Sequence, residues 1–178
     1  MDRAVSYVSE ILVMQQAYAA ADQEYRETVD LNTLITDAIQ IQMDRLERKG
    51  ITVEQKPKVP LPRVLIHKNR LMQVLMNSLV NGSEAFESLG PDNHQKKIRV
   101  KTFADNGHVG FEIEDNGVGI DQDNIEHIFD FGKSYQRSTG LGLYYCKLFV
   151  EDNGGTLSIS SSDSGAGTTV RAKFKKLT

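Results

Sequence analysis

Asp115-Asn116-Gly117-Val118-Gly119-Ile120 follows directly on Phe111-Glu112-Ile113-Glu114, four residues that alternate apolar and polar as a half-buried strand does. Residues 98–103 and 109–113 both alternate in this way, and Asp105-Asn106-Gly107 between them is a strong hairpin signal. The acidic, glycine-rich turn is therefore expected at the end of the second hairpin strand. Beyond it, residues 124–129 suggest a short helix, 130–139 lack periodicity and read as a loop, and 142–152 return to helix, closed by Asn153-Gly154-Gly155. Residues 156–160 and 168–174 finish as a second hairpin around Ser164-Gly165-Ala166-Gly167.

Upstream, Asp30 or Asn32 can cap a helix that runs to about Lys49 and is stopped by Gly50, with Leu31, Leu34, Ile35, Ala38, Ile39 and Leu46 on its buried face. Residues 51–55 and 63–66 read as strands on either side of Pro60-Leu61-Pro62. A helix over 68–88 carries Leu71, Val74, Leu75, Leu79 and Ala85 inward before Gly90-Pro91-Asp92-Asn93 breaks the chain. Strands in pairs with helices between them predict an α+β fold, a two-layer α/β sandwich of one mixed sheet and about three helices. Ahead of it, residues 3–26 hold no Gly or Pro, and Val5, Val8, Ile11, Leu12 and Tyr18 form an apolar stripe at helical spacing. Two partners satisfy that stripe: a second helix in an antiparallel hairpin or dimeric bundle, or the domain itself.

With 178 residues and 39% hydrophobic content, the chain suits one domain with a helical appendage. A net charge of -3 argues against a nucleic-acid surface, and Lys173, Lys175 and Lys176 are too few to make one. The single cysteine, Cys146, cannot form an internal disulfide, fits a reducing compartment and reads as core filler. No apolar run approaches a membrane span and the start lacks a signal-peptide profile, so a cytoplasmic location without direct membrane contact is expected, with any anchor outside this chain.

Asn77 and Asn81 stand four residues apart and project from one helical face, offering two amide oxygens. Mg²⁺ takes hard oxygens and keeps most of its waters, so one neutral protein oxygen beside triphosphate oxygens makes a workable site. Solvated or capping asparagines are the plainer alternative. Asp115 can accept from an adenine exocyclic amine while Gly117 and Gly119 let the ring lie against bare backbone, although Asp-Asn-Gly also serves simply as a turn. Gly140 and Gly142 open a helix, where free N–H groups and the helix dipole favour phosphate. In this order the pieces describe a pocket for an adenine nucleotide.

Arg70-Leu71-Met72-Gln73-Val74-Leu75-Met76-Asn77-Ser78-Leu79-Val80-Asn81, the turn at 115–120, and Thr139-Gly140-Leu141-Gly142-Leu143 followed by Gly154-Gly155 together resemble the ATP-binding catalytic domain of sensor histidine kinases. The resemblance spans about residues 30–174 and implies an ATP-dependent protein-histidine kinase that uses Mg²⁺. It implies Asn81 as metal ligand and Asn77 as a polar neighbour of the phosphates. Asp115, Gly117, Gly119 and Ile120 would lie at the adenine, and Thr139, Gly140, Leu141, Gly142 and Leu143 at the phosphates. Thr168, in Gly167-Thr168-Thr169-Val170, would support the adenine end directly or through water; as an ordinary strand residue it would sit on the surface. Ile128-Phe129-Asp130-Phe131 resembles the family's phenylalanine box, whose aromatics anchor a mobile lid, and the same two rings also suit a core. Lys133 and Arg137 in the short lid are either phosphate partners or solvated charges. Ser138 stands where the family usually writes glycine.

The first helix resembles the second helix of the family's dimerisation and phosphoacceptor hairpin. That implies a division into residues 1–29 and 30–178, a homodimeric parent and a response regulator as partner. Acceptor histidines in this family are followed by Glu or Asp, whereas His67, His94, His108 and His127 are followed by Lys, Gln, Val and Ile. The acceptor is therefore expected outside this chain, in a larger kinase. Two rival classes share the fold: a hydrolysing clamp, and a module that binds nucleotide or a partner without transferring phosphate. Clamps of that kind carry a glutamate general base four residues before the metal asparagine, where this chain has Asn77, and an amide cannot take a proton from water.

Overall fold

The computed structural model describes residues 25–89, 95–132, 140–161 and 167–177. Its centre is a five-stranded sheet in the order β2 (Thr52–Lys56), β4 (Lys97–Asp105), β5 (His108–Asp115), β7 (Thr168–Lys175), β6 (Thr156–Ser161). The β2–β4 pair is parallel and the others are antiparallel, so the sheet is mixed as expected. The first hairpin forms because Asn106 and Gly107 both take positive φ, 32° and 85°, which matches the twist of the flanking strands. Against one face lie α1 (Leu31–Arg48), α2 (Lys68–Glu84) and α4 (Gly142–Asp152), with the four-residue α3 (Gln122–Ile125) at the end of the sheet.

The helices pack where their apolar stripes direct them. The six residues expected on the inner face of α1 are all buried, Asp30 caps that helix by accepting from the Thr33 amide at 3.1 Å, and Gly50 follows its end at φ 67°. Asn32, the other cap candidate, is used elsewhere: its amide donates to the Lys58 carbonyl and accepts from the buried Thr102 hydroxyl. Leu71, Val74, Leu75 and Leu79 of α2 join Ile98, Val100, Phe111, Ile113 and Ala172 of the sheet in one core. The opposite sheet face stays in solvent behind a mesh of half-exposed ion pairs, Arg99 with Glu54 and Glu114, Lys101 with Glu114, and Arg171 with Glu112. Each such pair adds little stability, so the face is kept charged rather than glued.

Three details differ from the sequence expectation. Glu27–Val29, assigned with residues 1–29 to the preceding hairpin, is a strand of the domain, β1, and pairs antiparallel with β3 (Val64–Ile66). The 63–66 strand therefore belongs to a separate two-stranded sheet and not to the main one. Three residues reading Glu-Thr-Val carry no periodicity, and only their pairing partner makes them a strand. The second long helix ends at Glu84, not Ser88, because the Val118 amide takes the Ala85 carbonyl at 3.0 Å and diverts the chain. The helix expected over 3–26, apart from its last two residues, the break at 90–93, and residues 164–166 of the second hairpin's turn lie outside the described residues. No helix among the described residues is long and apolar enough to cross a membrane.

Gly82 offers a direct check on the α2–sheet packing. It is a buried helical residue whose added Cβ would rest 3.4 Å from Ile98 Cδ1 and 3.7 Å from Asp115 Cβ, ordinary contact distances. Gly82→Ala should therefore stabilise the fold by about 0.5–1 kcal/mol, the usual helix-interior difference between the two residues. A lowered thermal midpoint would mean that α2 sits closer to the sheet than described.

Candidate functional site

The expected site residues gather around α2. Asp115 ends β5 on the same face as Phe111 and Ile113, because alternate strand residues share a face, and this aims its carboxylate into the helical layer. It is 6% exposed and faces Thr168 across the β5–β7 ladder and Ile98 across β4–β5. Thr168 is likewise buried, so it is an inner-face residue and not a surface one. Gly117 donates to Asp115 Oδ1 at 2.9 Å. The turn is pressed against the end of α2: a Cβ on Gly117 would lie 2.6 Å from Ala85 Cβ and 2.7 Å from its carbonyl oxygen. A side chain at 117 is excluded by backbone, and the glycine is a packing requirement.

Burial pushes the Asp115 carboxyl up to about 6 from its ordinary 3.8, against backbone hydrogen bonds from Gly117 and Thr168, with Glu114 adding to the rise. Glu114 itself, despite some desolvation, is held below its ordinary range by Lys101 and Arg99 on the solvated face. A raised carboxyl works against the fold when ionised. Its stabilising contribution is complete below about pH 4, where both folded and unfolded chains hold the proton, and is lost as pH rises through about 6. The total is on the order of 3 kcal/mol. Between pH 4 and 6, the stability difference between Asp115→Asn and the parent chain should therefore grow with pH and then level off. Denaturant titrations showing a constant difference would remove the buried-carboxylate assignment.

At the other side of α2, Asn77 meets the second glycine turn. A Cβ on Gly142 would lie 3.5, 3.6 and 3.7 Å from Asn77 Nδ2, Cγ and Oδ1, so the amide rests flat against the first turn of α4. Asn77 Nδ2 also donates to Cys146 Sγ at 3.4 Å. Cys146 is core filler as expected, and burial pushes its thiol up to about 11, leaving it protonated and unreactive. Leu141 is fully buried just ahead of α4, while Gly140, Gly142 and Leu143 are partly exposed. Gly119 and Gly140 both take positive φ, 75° and 70°, which turns the chain sharply at each motif. Ile120 and Asn81 are half-buried.

The phenylalanine pair divides its roles. Phe129 packs against the core with Lys147 4.9 Å above its ring, whereas Phe131 is 55% exposed and meets Tyr144 edge-on. Lys133, Arg137, Ser138 and Thr139 lie outside the described residues. The donors Asn77 and Asn81 are neutral hard oxygens of the kind Mg²⁺ accepts when phosphate supplies the remaining ligands. Among the described residues no group of three or more His, Cys, Asp or Glu side chains is placed to hold a metal by itself. Sequence reasoning passed over Ala85 and Gly82 as site-forming residues. Their signal was present as small residues one and four positions after Asn81, where a close-packed turn must pass.

Comparison with known proteins identifies the family and the fold. The pattern describing the histidine kinase-, DNA gyrase B-, and HSP90-like ATPases matches residues 66–178. The sensor histidine kinase ZraS of Escherichia coli K12 is 31% identical over 169 residues, covering 94% of this chain and 34% of ZraS. The chain spans about a third or less of the length of the curated relatives it matches. Among solved structures, full-length ShkA in complex with AMPPNP aligns with a TM-score of 0.81 at 24% identity, covering 98% of this chain and 36% of ShkA. The histidine kinase ThkA in complex with the response regulator TrrA aligns with a TM-score of 0.74 at 20% identity, covering 97% of this chain and 49% of that chain. At these identities the two structures share the fold. Matched by the family pattern from Ile66 onward and built on the same α+β sandwich, the chain belongs to the histidine kinase-, DNA gyrase B- and HSP90-like ATPase family.

Proposed function

We propose that this chain is the ATP-binding catalytic module of a two-component sensor histidine kinase, transferring the γ-phosphoryl group of ATP to a histidine outside residues 1–178, for relay to a response regulator. The observation that carries this reading is the position of α2. One helix backs the buried Asp115 through Gly82 and meets the phosphate-type glycine turn through Asn77. A single ligand with an amine-bearing base at one end and phosphates at the other fits that separation of chemistries. The complexes named for ShkA and ThkA, one with AMPPNP and one with a response regulator, support the same ligand and partner for this chain.

In this reading Asp115 accepts from the adenine amine, Gly117, Gly119 and Ile120 bound the ring, and Thr168 supports Asp115 from the neighbouring strand. Asn81 holds Mg²⁺, and Asn77, Thr139, Gly140, Leu141, Gly142 and Leu143 surround the phosphates, with Lys133 as a lid cation. Bound Mg²⁺ supplies charge neutralisation on the phosphate oxygens. The chain's own share is positioning: it holds the nucleotide and leaves the γ-phosphate open to an incoming nucleophile. Asn77 lacks the acid–base capacity of a carboxylate, and its amide is engaged by Cys146. Transfer to a histidine, which brings its own lone pair, survives that lack, whereas hydrolysis of ATP by water, which must lose a proton, does not. The segment ahead of Tyr25 is proposed as the hairpin's second helix in a homodimeric, cytoplasmic catalytic region, with Glu27–Val29 already part of the domain's small sheet.

Radiolabelled ATP tests the reading. The chain alone should bind ATP without labelling itself or releasing phosphate appreciably. Adding a helical hairpin bearing a His-Glu or His-Asp acceptor should yield a base-stable, acid-labile phosphate on the hairpin, abolished by Asn81→Ala. Rapid phosphate release by the chain alone would point to the clamp, and an acid-stable mark would mean transfer to a hydroxyl and not to an imidazole. Silence with the hairpin present would leave a binding-only module.

A further inference from the structure

Asn116 stands inside the acidic-glycine turn, yet it faces away from the pocket and is exposed. It is nevertheless tied down at three points. Its backbone N–H donates to the Lys97 carbonyl at 3.2 Å, its side-chain Oδ1 accepts from the Lys97 amide at 2.7 Å, and its Nδ2 donates to the Gln95 carbonyl at 2.9 Å. The β4–β5 ladder ends one residue earlier, at the Ile98–Asp115 pair. The next step of the ladder is therefore half backbone and half side chain: the Asn116 N–H makes its backbone bond, and Oδ1 takes the place of the Asn116 carbonyl as acceptor for the Lys97 amide. Asn116 lengthens the sheet by one rung without lengthening the strand.

We infer that Asn116 is a positioning residue for adenine recognition, acting through Asp115, and this rests on the reading of Asp115 as the adenine acceptor. The chain on the C-terminal side of Asp115 is clamped twice within three residues, by Asn116 to the start of β4 and by the Val118 amide to the Ala85 carbonyl. Between these clamps Gly117 holds Asp115 Oδ1. A carboxylate this buried gains by moving toward water, because desolvation disfavours its ionised form. The charged side chain whose field adds to that tendency is the neighbouring Glu114. Ladder pairing to Thr168 restrains Asp115 from the β7 side, and the Asn116 clasp restrains it from the β4 side. With the two side-chain bonds removed, the turn keeps only its backbone bond to Lys97 beyond the Ile98–Asp115 pair, and the carboxylate loses part of the fixed direction that distinguishes an amine from a carbonyl on the base.

A clasp that only stabilised the turn would lower the melting temperature and leave base discrimination alone. The deciding measurement is therefore the ratio of ADP to IDP affinity by calorimetry, since the inosine base carries a carbonyl where adenine carries the amine. Asn116→Ala should narrow that ratio roughly three- to tenfold, the range expected when one or two hydrogen bonds stop orienting a buried acceptor. Asn116→Asp, which keeps the acceptor for the Lys97 amide and loses the donor to Gln95, should fall between the parent and alanine. In an Asp115→Asn background, Asn116→Ala should leave the ratio unchanged. A lowered melting temperature with an intact ratio, or an equal effect in both backgrounds, overturns the inference. A parent chain that binds both nucleotides without discrimination overturns the assignment of Asp115 first, and a parent that binds neither overturns both.

Discussion

Asp115→Asn should move nucleotide affinity and fold stability in opposite directions. In the pocket it replaces an acceptor oxygen by a donor facing the adenine amine, a loss of about 1–3 kcal/mol, or roughly 5- to 150-fold in affinity. In the fold it removes a carboxylate that burial pushes up to about 6, while its own amide oxygen still accepts from Gly117 as Asp115 Oδ1 does at 2.9 Å. At pH 7 the variant should therefore unfold at higher denaturant, gaining up to a few kcal/mol. Calorimetry with ATP, paired with urea titration on the same preparation, reads both effects. Unchanged ATP affinity in a folded variant would falsify the adenine assignment, and a joint loss of affinity and stability would mean that the carboxylate holds the turn together.

Gly167→Ala should be the most destabilising of the small substitutions in the described residues. Gly167 sits at φ +85°, and a Cβ there would come 1.8 Å from the Asp115 carbonyl oxygen and 2.9 Å from Asn116 Cα. The obstacle is backbone on the neighbouring strand, so it yields only if β5 and β7 part. Left-handed strain of about 1–2 kcal/mol adds to an overpacking cost of about 1–3 kcal/mol, and a total of about 2–5 kcal/mol is expected. Gly154→Ala is the matched control. It has φ +67° with nothing within 4 Å of its Cβ, so it should lose only the conformational part, about 1–2 kcal/mol. Equal losses in the two variants would sink the close-approach argument. Because Gly167 lies against Asp115, the same substitution should also abolish nucleotide binding in whatever fraction stays folded.

Much of the architecture is legible in the chain because its local signals agree with one another. The helical stripes of α1 and α2, the Asn106-Gly107 turn and the alternation in β4 and β5 each point to the element that forms, and the residues expected to be buried are buried. The motif residues Asn77, Asp115 and Gly142 could be picked out for a similar reason. Phosphate, metal and base recognition demand particular residue types at particular spacings, and those demands are local.

What depended on distant neighbours could not be read this way. Glu27–Val29 becomes a strand only through its pairing with Val64–Ile66, and the second long helix stops at Glu84 because a turn more than thirty residues later takes the Ala85 carbonyl. Thr168 alternates like any strand residue, and only its placement opposite Asp115 on an inner face puts it at the candidate site. The exposed Asn116 has no periodicity to mark its role, since its three bonds reach back to residues 95 and 97. The sequence by itself determined most of the elements, their buried faces and the chemical identity of the candidate ligand groups, because backbone conformation and side-chain type are properties of near neighbours in the chain. Tertiary structure alone decided which of those groups meet, how deeply Asp115 is buried and hence its proton affinity, because long-range pairing and desolvation exist only once the layers have closed on each other.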